Sequence, residues 1–250
     1  MSDGNGGAAI SPPALAPPPR LKVASYNIHQ CVGMDGRCDP DRIAEVLREI
    51  GADVIGLQEV SSRTGARSDS QQMDYLARAL GLTALAGPTI IRDDSHYGNA
   101  LLTSRRVLDV RQVDLTVYKR EPRGALDVDL EVPGGTLRFI VTHLGLLPGE
   151  RRTQVRRLLD ILGTPSQSAI VLCGDMNEWF AVGRPLRWLH GRFGRSPTLP
   201  TFPAGFPLFA LDRIWVRPRD AVVTWGVHRS PTARIASDHL PMKAEIELGR

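Results

Sequence analysis

Lysine is nearly missing from this chain of 250 residues: Lys22, Lys119 and Lys243 are all it has, and the other basic side chains are arginine. With a formal charge of only +4, the sequence offers no lysine-rich face of the kind that tracks a nucleic-acid backbone. The arginine bias comes with abundant alanine, glycine and proline. It fits a GC-rich genome better than it fits a phosphate-bearing partner. Cysteine is equally scarce. Cys31, Cys38 and Cys173 form an odd set with no Cys-x-x-Cys pair, which argues against a disulfide framework and against structural zinc. Free thiols in a reducing, cytoplasmic setting are the expectation. No apolar run reaches the length of a spanning helix, so no integral membrane segment is expected. Aromatic residues make up 6%, few for stacking bases; Trp179, Phe180 and Trp188 are expected near one another beside the GDMN motif.

What is present is ordinary for a water-soluble domain. A hydrophobic share of 42% against 23% charged suits a packed α/β unit with a sizeable core. The segment 1–20, MSDGNGGAAISPPALAPPPR, is rich in proline, alanine and glycine and lacks the basic head and apolar body of a leader. It reads as a disordered tail ahead of a folded domain spanning 21–250. A monomer is expected.

Within the domain, LKVASYN and ADVIGLQE read as buried strands. The helix between them has Asp39 as N-cap, Pro40 in its first turn and Gly51 as its stop. That strand-helix-strand order favours parallel pairing. The polar stretch 61–70 is expected to be a loop over the site, and 73–80 a second helix. From 83 to 143 the pattern changes to strands with turns, and NALLTS, VLDVRQVDLTVY, ALDVDLEV and LRFIVTH, separated by turn residues, read as hairpins. A helix is expected at 150–162, then the strand AIVLCGD, a short helix at 185–190 and a long proline-rich loop at 193–208. Strands at 212–216, 221–228 and 241–248 close the chain.

The polar residues at the ends of these runs carry the chemistry. Asn27 closes LKVASYN, Glu59 closes ADVIGLQE and His143 closes LRFIVTH; Asp175 and Asn177 follow AIVLCG, Asp212 opens RIWV, and Asp238-His239 precede the last strand. Strand-end side chains from distant segments meet only if their strands lie side by side. Acid and amide groups gathered at one rim suit a hard divalent cation. Taken singly, each has a plainer explanation. Asp175 could close an Asx turn after Gly174, and SDHLP could be a turn into a strand.

The ordered set YNIH, LQEV, GNALLTS, VTHLG, GDMN, LDRIWV and SDHLP resembles the endonuclease/exonuclease/phosphatase family, over nearly the whole chain from about Leu21 to Leu248. The resemblance implies a four-layer α/β/β/α sandwich of two packed mixed sheets flanked by helices. It implies a phosphoester hydrolase in which water attacks in line, aided by Mg2+ or Mn2+. His143, Asp175, Asn177, Asp212 and His239 would be catalytic, with Asp212 fixing the tautomer of His239. Asn27, Glu59 and Asp238 would hold the metal. Asn99, Arg123 and Arg151 would contact phosphate or support the site; a core role for Asn99 stays open. Histidine at position 143 is shared with the secreted deoxyribonucleases and sphingomyelinases, whereas abasic-site endonucleases lack it. A deoxyribonuclease would pair that histidine with a glutamate, and no motif supplies one here, Asp94 and His96 being the nearby candidates. The substrate expected is a small or lipid-derived phosphodiester. The alternatives are a DNA or RNA nuclease and a non-catalytic phosphate-binding module of the same fold.

Overall fold

The structure is a computed structural model, and it describes residues 20–63, 71–163 and 169–248. In chain order the elements are β1 (Arg20–Asn27), α1 (Pro40–Ile50), β2 (Val54–Arg63), α2 (Gln72–Leu80), β3 (Thr83–Arg92), β4 (Ser95–Thr103), β5 (Val107–Asp114) and β6 (Gly124–Val132). They continue with β7 (Gly135–His143), α3 (Pro148–Leu162), β8 (Ala169–Asp175), α4 (Arg184–Phe193), β9 (Asp212–Arg217), β10 (Val222–Val227), α5 (Ala233–Ala236) and β11 (Met242–Glu247). The tail lies outside the described residues except for Arg20, which already pairs with Glu247 in β11.

The strands form two sheets. One has six strands in the order β10-β11-β1-β2-β4-β3, and the other has five in the order β5-β6-β7-β8-β9. Each sheet has one parallel pair at its heart, β1 with β2 and β7 with β8. Helices α1 and α3 make the right-length crossovers that parallel pairing demands. Helix α1 starts where it should: Asp39 accepts hydrogen bonds from the Asp41 and Arg42 amides, and Gly51 ends the helix at a φ of 58°.

The period-2 pattern of the strands sorts their side chains into three cores. Tyr26, Ile55 and Leu57 face α1, meeting Ile43, Val46 and Leu47. Val23, Val54, Val141, Val171 and Ile214 fill the space between the sheets. Ile140, Leu172 and Trp215 face outward onto Val155 and Leu158 of α3 and Leu186 and Leu189 of α4. The result is the α/β/β/α sandwich. Each such aliphatic side chain, fully buried, contributes about 1.5–3 kcal/mol relative to exposure. The sheets pack tightly at Gly56, where a Cβ would sit 2.7 Å from Cys173 Sγ and 2.8 Å from Val141 Cγ2. A side chain there would wedge apart the two strand bundles that carry the site.

Three expectations need correction. Residues 61–63 are not loop; they extend β2, pairing Ser61 with Tyr97 and Ser62 with His96, while 64–70 lie outside the described residues. Polar composition hid the strand because this end of it is half solvated. TALAGPTIIR, inside the span expected to hold strands with turns but not named as one of them, forms β3 despite its glycine and proline. The proline is tolerated because β3 is an edge strand whose pairing shifts register between Pro88 and Ile90. The short helix expected at 185–190 runs from Arg184 to Phe193, its buried stripe of Leu186, Leu189 and Phe193 continuing past His190.

Candidate active site

The expected site residues are built from both sheets at one rim. Asn27 ends β1, and Asp175 ends β8 directly opposite Asp212 at the start of β9. His143 ends β7 in register with Asp175. Glu59 is the exception to the strand-end pattern. It lies inside β2 at a bulge between Leu57 and Val60, with φ at 57°, a backbone state an L side chain adopts only when its surroundings impose it. The bulge takes Glu59 out of the alternation of β2. Its carboxylate accepts a hydrogen bond from Asn27 Nδ2 at 3.0 Å. The same nitrogen donates to Asp175 Oδ2 at 3.1 Å, so one amide tethers two carboxylates. The Asn27 oxygen is turned away, accepting from the His29 amide at 3.1 Å.

Glycine 174 makes the Asp175 end possible. Its φ is 145°, and a Cβ there would lie 1.8 Å from the Thr142 carbonyl oxygen of the neighbouring strand. After it the chain turns over Asp175: the Asn177 amide donates to Asp175 Oδ1 at 2.8 Å, and Asn177 takes a φ of 48°. The Asx turn and the functional placement are therefore one arrangement.

His239 packs between two buried carboxylates. Its Nδ1–H donates to Asp212 Oδ2 at 2.8 Å, and its Nε2 lies 3.6 Å from Asp175 Oδ2. Burial alone would lower its pKa. The charges of Asp212 and Asp175, with the hydrogen bond to Asp212, outweigh burial and lift it to about 10. Ser237, which sequence reasoning passed over, anchors this segment. Its hydroxyl donates to the Asn27 carbonyl at 2.8 Å and accepts from the His239 amide at 3.2 Å. Asp238 is half-exposed, with Oδ1 3.8 Å from His29 Nδ1.

His143 has the opposite surroundings. Arg123 Nη1 faces its Nδ1 at 3.2 Å, and Asn177 Nδ2 faces its Nε2 at 2.9 Å. Both neighbours are N–H donors, so an imidazolium would set N–H against N–H on both sides. Burial first, and Arg123 next among the lowering influences, push its pKa down to about 3 against the pull of Asp175. The partner on Nδ1 is thus an arginine where a deoxyribonuclease would have a glutamate. Asp94 accepts a hydrogen bond from Ser95 in the β3–β4 turn. Tyr97, also missed, lines a small cleft with Glu59, Asn99, Arg123 and His143. Burial raises the pKa of its hydroxyl, Glu59 adds to the rise and Arg123 opposes it.

The support residues divide. Asn99 Nδ2 donates to the Gly124 carbonyl at 3.0 Å, which ties β4 to the Arg123 segment, while its buried Oδ1 has no partner among the described residues. Arg151 is buried in α3; its Nε donates to Glu178 at 3.2 Å and its Nη1 to the Leu146 carbonyl at 2.5 Å. It braces the loops after β7 and β8. Trp188 packs against the outer core under Arg156, whose guanidinium carbon is 5.0 Å from its ring centre.

The donor set fits a hard divalent cation. Asp175 and Asp212 are buried, and among the described residues no lysine or arginine pairs with them or with Glu59. Ligand atoms of Asp175, Asp212 and His239 lie within 4.8 Å of one another, and Asp212 Oδ1 is buried with no partner among the described residues. The lifted pKa of His239 reports the same unbalanced negative charge.

Residues 24–239 match the sequence profile of the endonuclease/exonuclease/phosphatase family, and the chain belongs to that family. Its members are hydrolytic phosphoesterases that commonly use divalent metals and act on phosphoester or nucleic-acid substrates. Among individual proteins, the chain is 29% identical over 245 residues to the uncharacterized protein YbhP of Escherichia coli K12, covering 91% of this chain and 96% of that one. Its fold matches an endonuclease/exonuclease/phosphatase structure from Beutenbergia cavernae with a TM-score of 0.74 and 25% identity, over 92% of this chain and 72% of that one. It also matches D. rerio TDP2 complexed with a single-strand DNA product, with a TM-score of 0.67 and 19% identity, over 92% and 99% of the two chains. That last likeness is one of fold alone.

Proposed function

We propose that this protein is a magnesium-dependent phosphodiesterase that cleaves its ester by in-line attack of water, Mn2+ being an alternative ion. The observation that carries the reading is the convergence on Asp175: Asn27, His143 and His239 all direct nitrogen atoms at its Oδ2, at 3.1, 3.5 and 3.6 Å. Glu59 and Asp238 are the proposed carboxylate holders of the cation, joined by Asn27 once its amide turns its oxygen toward Glu59 in place of the Nδ2 that faces it here. When bound, it supplies Lewis-acid polarisation of the phosphoryl oxygens. His239, oriented by Asp212, carries the proton of the attacking water, with Asp175 aligning that water. Neutral His143 and the Asn177 amide stabilise the charge that grows on the phosphoryl oxygens. Between the two roles open to His143, its donor neighbours favour stabilisation over proton delivery.

Turnover of bis-p-nitrophenyl phosphate with Mg2+, abolished by chelator and by His239→Ala, tests the reading. Full turnover in the His239→Ala protein would overturn it. Glu59→Ala should weaken Mg2+ binding by about 10–100-fold in calorimetry. A binding module that lost its chemistry is disfavoured because every catalytic position is filled. The nuclease reading draws on the fold shared with TDP2. Plasmid nicking with a steep salt dependence would establish it.

A further inference from the structure

Three loops leave the strand ends that carry the site, and each exposes large apolar side chains to water. The loop after β7, following His143, presents Leu146 and Leu147. The loop after β8, following Asn177, presents Trp179, Phe180 (71% exposed) and Val182 (78%). The loop that runs into β9, ahead of Asp212, presents Phe206 (73%), Leu208 and Phe209. They are one surface. Trp179 packs edge-on against Phe209 and Phe202, and Phe202 lies 4.9 Å, centre to centre, from the His239 ring. Arg151 joins the first two loops through Leu146 and Glu178. A solvated domain rarely leaves so many large apolar groups together without a partner.

The third loop is tied to itself and to the segment of His239 by backbone hydrogen bonds. The Thr201 and Phe202 amides donate to the Phe209 carbonyl, and the Ala204 amide donates to the Asp238 carbonyl. Its base is thus anchored beside His239.

The exposed charges on these loops and on 229–235 are all arginine, with Asp238 half-exposed beside the third loop. The segments 144–152, 178–187, 200–209 and 229–235 contain two acids, Glu150 and Glu178, and both are buried. Glu150 caps α3, and Glu178 pairs with Arg151. Arg184, Arg187, Arg229 and Arg234 of the same segments are exposed. Arg234 donates to the Gly205 carbonyl, which places it against the third loop. Apolar tips rimmed by arginine are the composition of a surface that seats in the headgroup layer of an anionic bilayer. No helix among the described residues is long and apolar enough to cross a membrane, so the contact is interfacial.

We propose that this rim docks the protein on an anionic lipid bilayer, with the site facing the headgroup phosphates. Single-stranded nucleic acid would use the same arginines but needs open ring faces. Half of the exposed tips are aliphatic, and the Trp179, Phe209 and Phe202 rings are packed on one another. The aliphatic tips have no use against bases and full use in lipid.

The test is sedimentation of the full chain with vesicles of phosphatidylcholine and phosphatidylglycerol at 4:1, beside pure phosphatidylcholine and a fluorescent single-stranded oligonucleotide. Binding is measured without turnover, so failure of the hydrolytic reading would leave its result intact. The protein should sediment with the anionic vesicles, less so at high salt. Phe180→Ser, Val182→Ser, Phe206→Ser and Leu208→Ser combined should weaken that binding by about 100-fold while turnover of soluble bis-p-nitrophenyl phosphate stays unchanged. Arg184→Gln with Arg234→Gln should remove the preference for anionic lipid. A wild-type protein left in the supernatant with both vesicles overturns the proposal, as does oligonucleotide binding that the serine substitutions abolish while vesicle binding is absent.

Discussion

His239 and His143 stand on either side of one carboxylate oxygen, Asp175 Oδ2, at nearly equal distance, and they are held in opposite states. On the His239 side the neighbours are Asp212 and Asp175, and the ring is kept charged up to about pH 10. On the His143 side the neighbours are Arg123 and the Asn177 amide, and the ring is kept neutral down to about pH 3. Two imidazoles with the same intrinsic chemistry are thus given different work by what backs them. The side that holds a proton suits proton transfer once a cation offsets the carboxylates. The neutral side suits hydrogen bonding to a phosphoryl oxygen.

The largest expected effect comes from breaking the charged side. Asp212→Asn keeps a hydrogen-bonding group of the same shape but favours the wrong tautomer of His239. It should cut turnover by about 10⁴-fold with little change in KM. A loss under about tenfold would mean that Asp212 does not orient the catalytic ring.

Breaking the neutral side should cost less. His143→Ala is expected to lower turnover by about 10²–10³-fold, equally on nitrophenyl and on simple alkyl phosphodiesters. A clearly larger loss on the alkyl ester would show that His143 delivers a proton to the leaving oxygen, contrary to its donor surroundings.

The contrast also predicts a stability profile for the metal-free protein. The folded pKa of His239 lies above the ordinary value of 6.5, so its contribution is complete below pH 6.5 and is lost as pH rises toward about 10. The folded pKa of His143 lies below 6.5, so its contribution is complete above that pH and is lost as pH falls toward about 3. The pair therefore contributes most near pH 6.5. Melting temperatures in chelator should show His239→Gln flattening the alkaline limb and His143→Gln the acid limb. Arg123→Gln, by letting the folded pKa of His143 rise toward 6.5, should shorten the acid limb and lessen the loss of stability there. If both substitutions altered the same limb, the assignment of opposite states would fail.

The smallest effect is expected far from either ring. A chain beginning at Arg20 should match the full protein in melting temperature and in specific activity, since 1–19 offer no periodic apolar pattern to dock. A fall in either quantity would show that the tail packs on the domain.

The sequence was enough to mark the strand ends. LKVASYN, AIVLCGD and LRFIVTH are apolar on both faces because each strand is buried on both faces, and a polar residue that closes such a run has only the rim to occupy. Asn27, His143, Asp175, Asp212 and His239 were legible for that reason, as were the crossovers through α1 and α3. Glu59 was named for the wrong geometric reason. A bulge cannot be read from ADVIGLQEV, since it depends on how β2 and β4 settle their register. The edge strand β3 was covered by the span of strands but not named, and its proline is one that only an edge tolerates. The partner of His143 was out of reach as well. Arg123 lies 20 residues away along the chain, and only the pairing of β6 with β7 brings the two together. The apolar rim escaped for the same reason. Its side chains come from three segments that look like ordinary turns, and a surface exists only once the strands have set those turns side by side. Local composition and periodicity thus determined which residues could do chemistry. Long-range strand pairing decided what stands behind each of them, and that sets their charge.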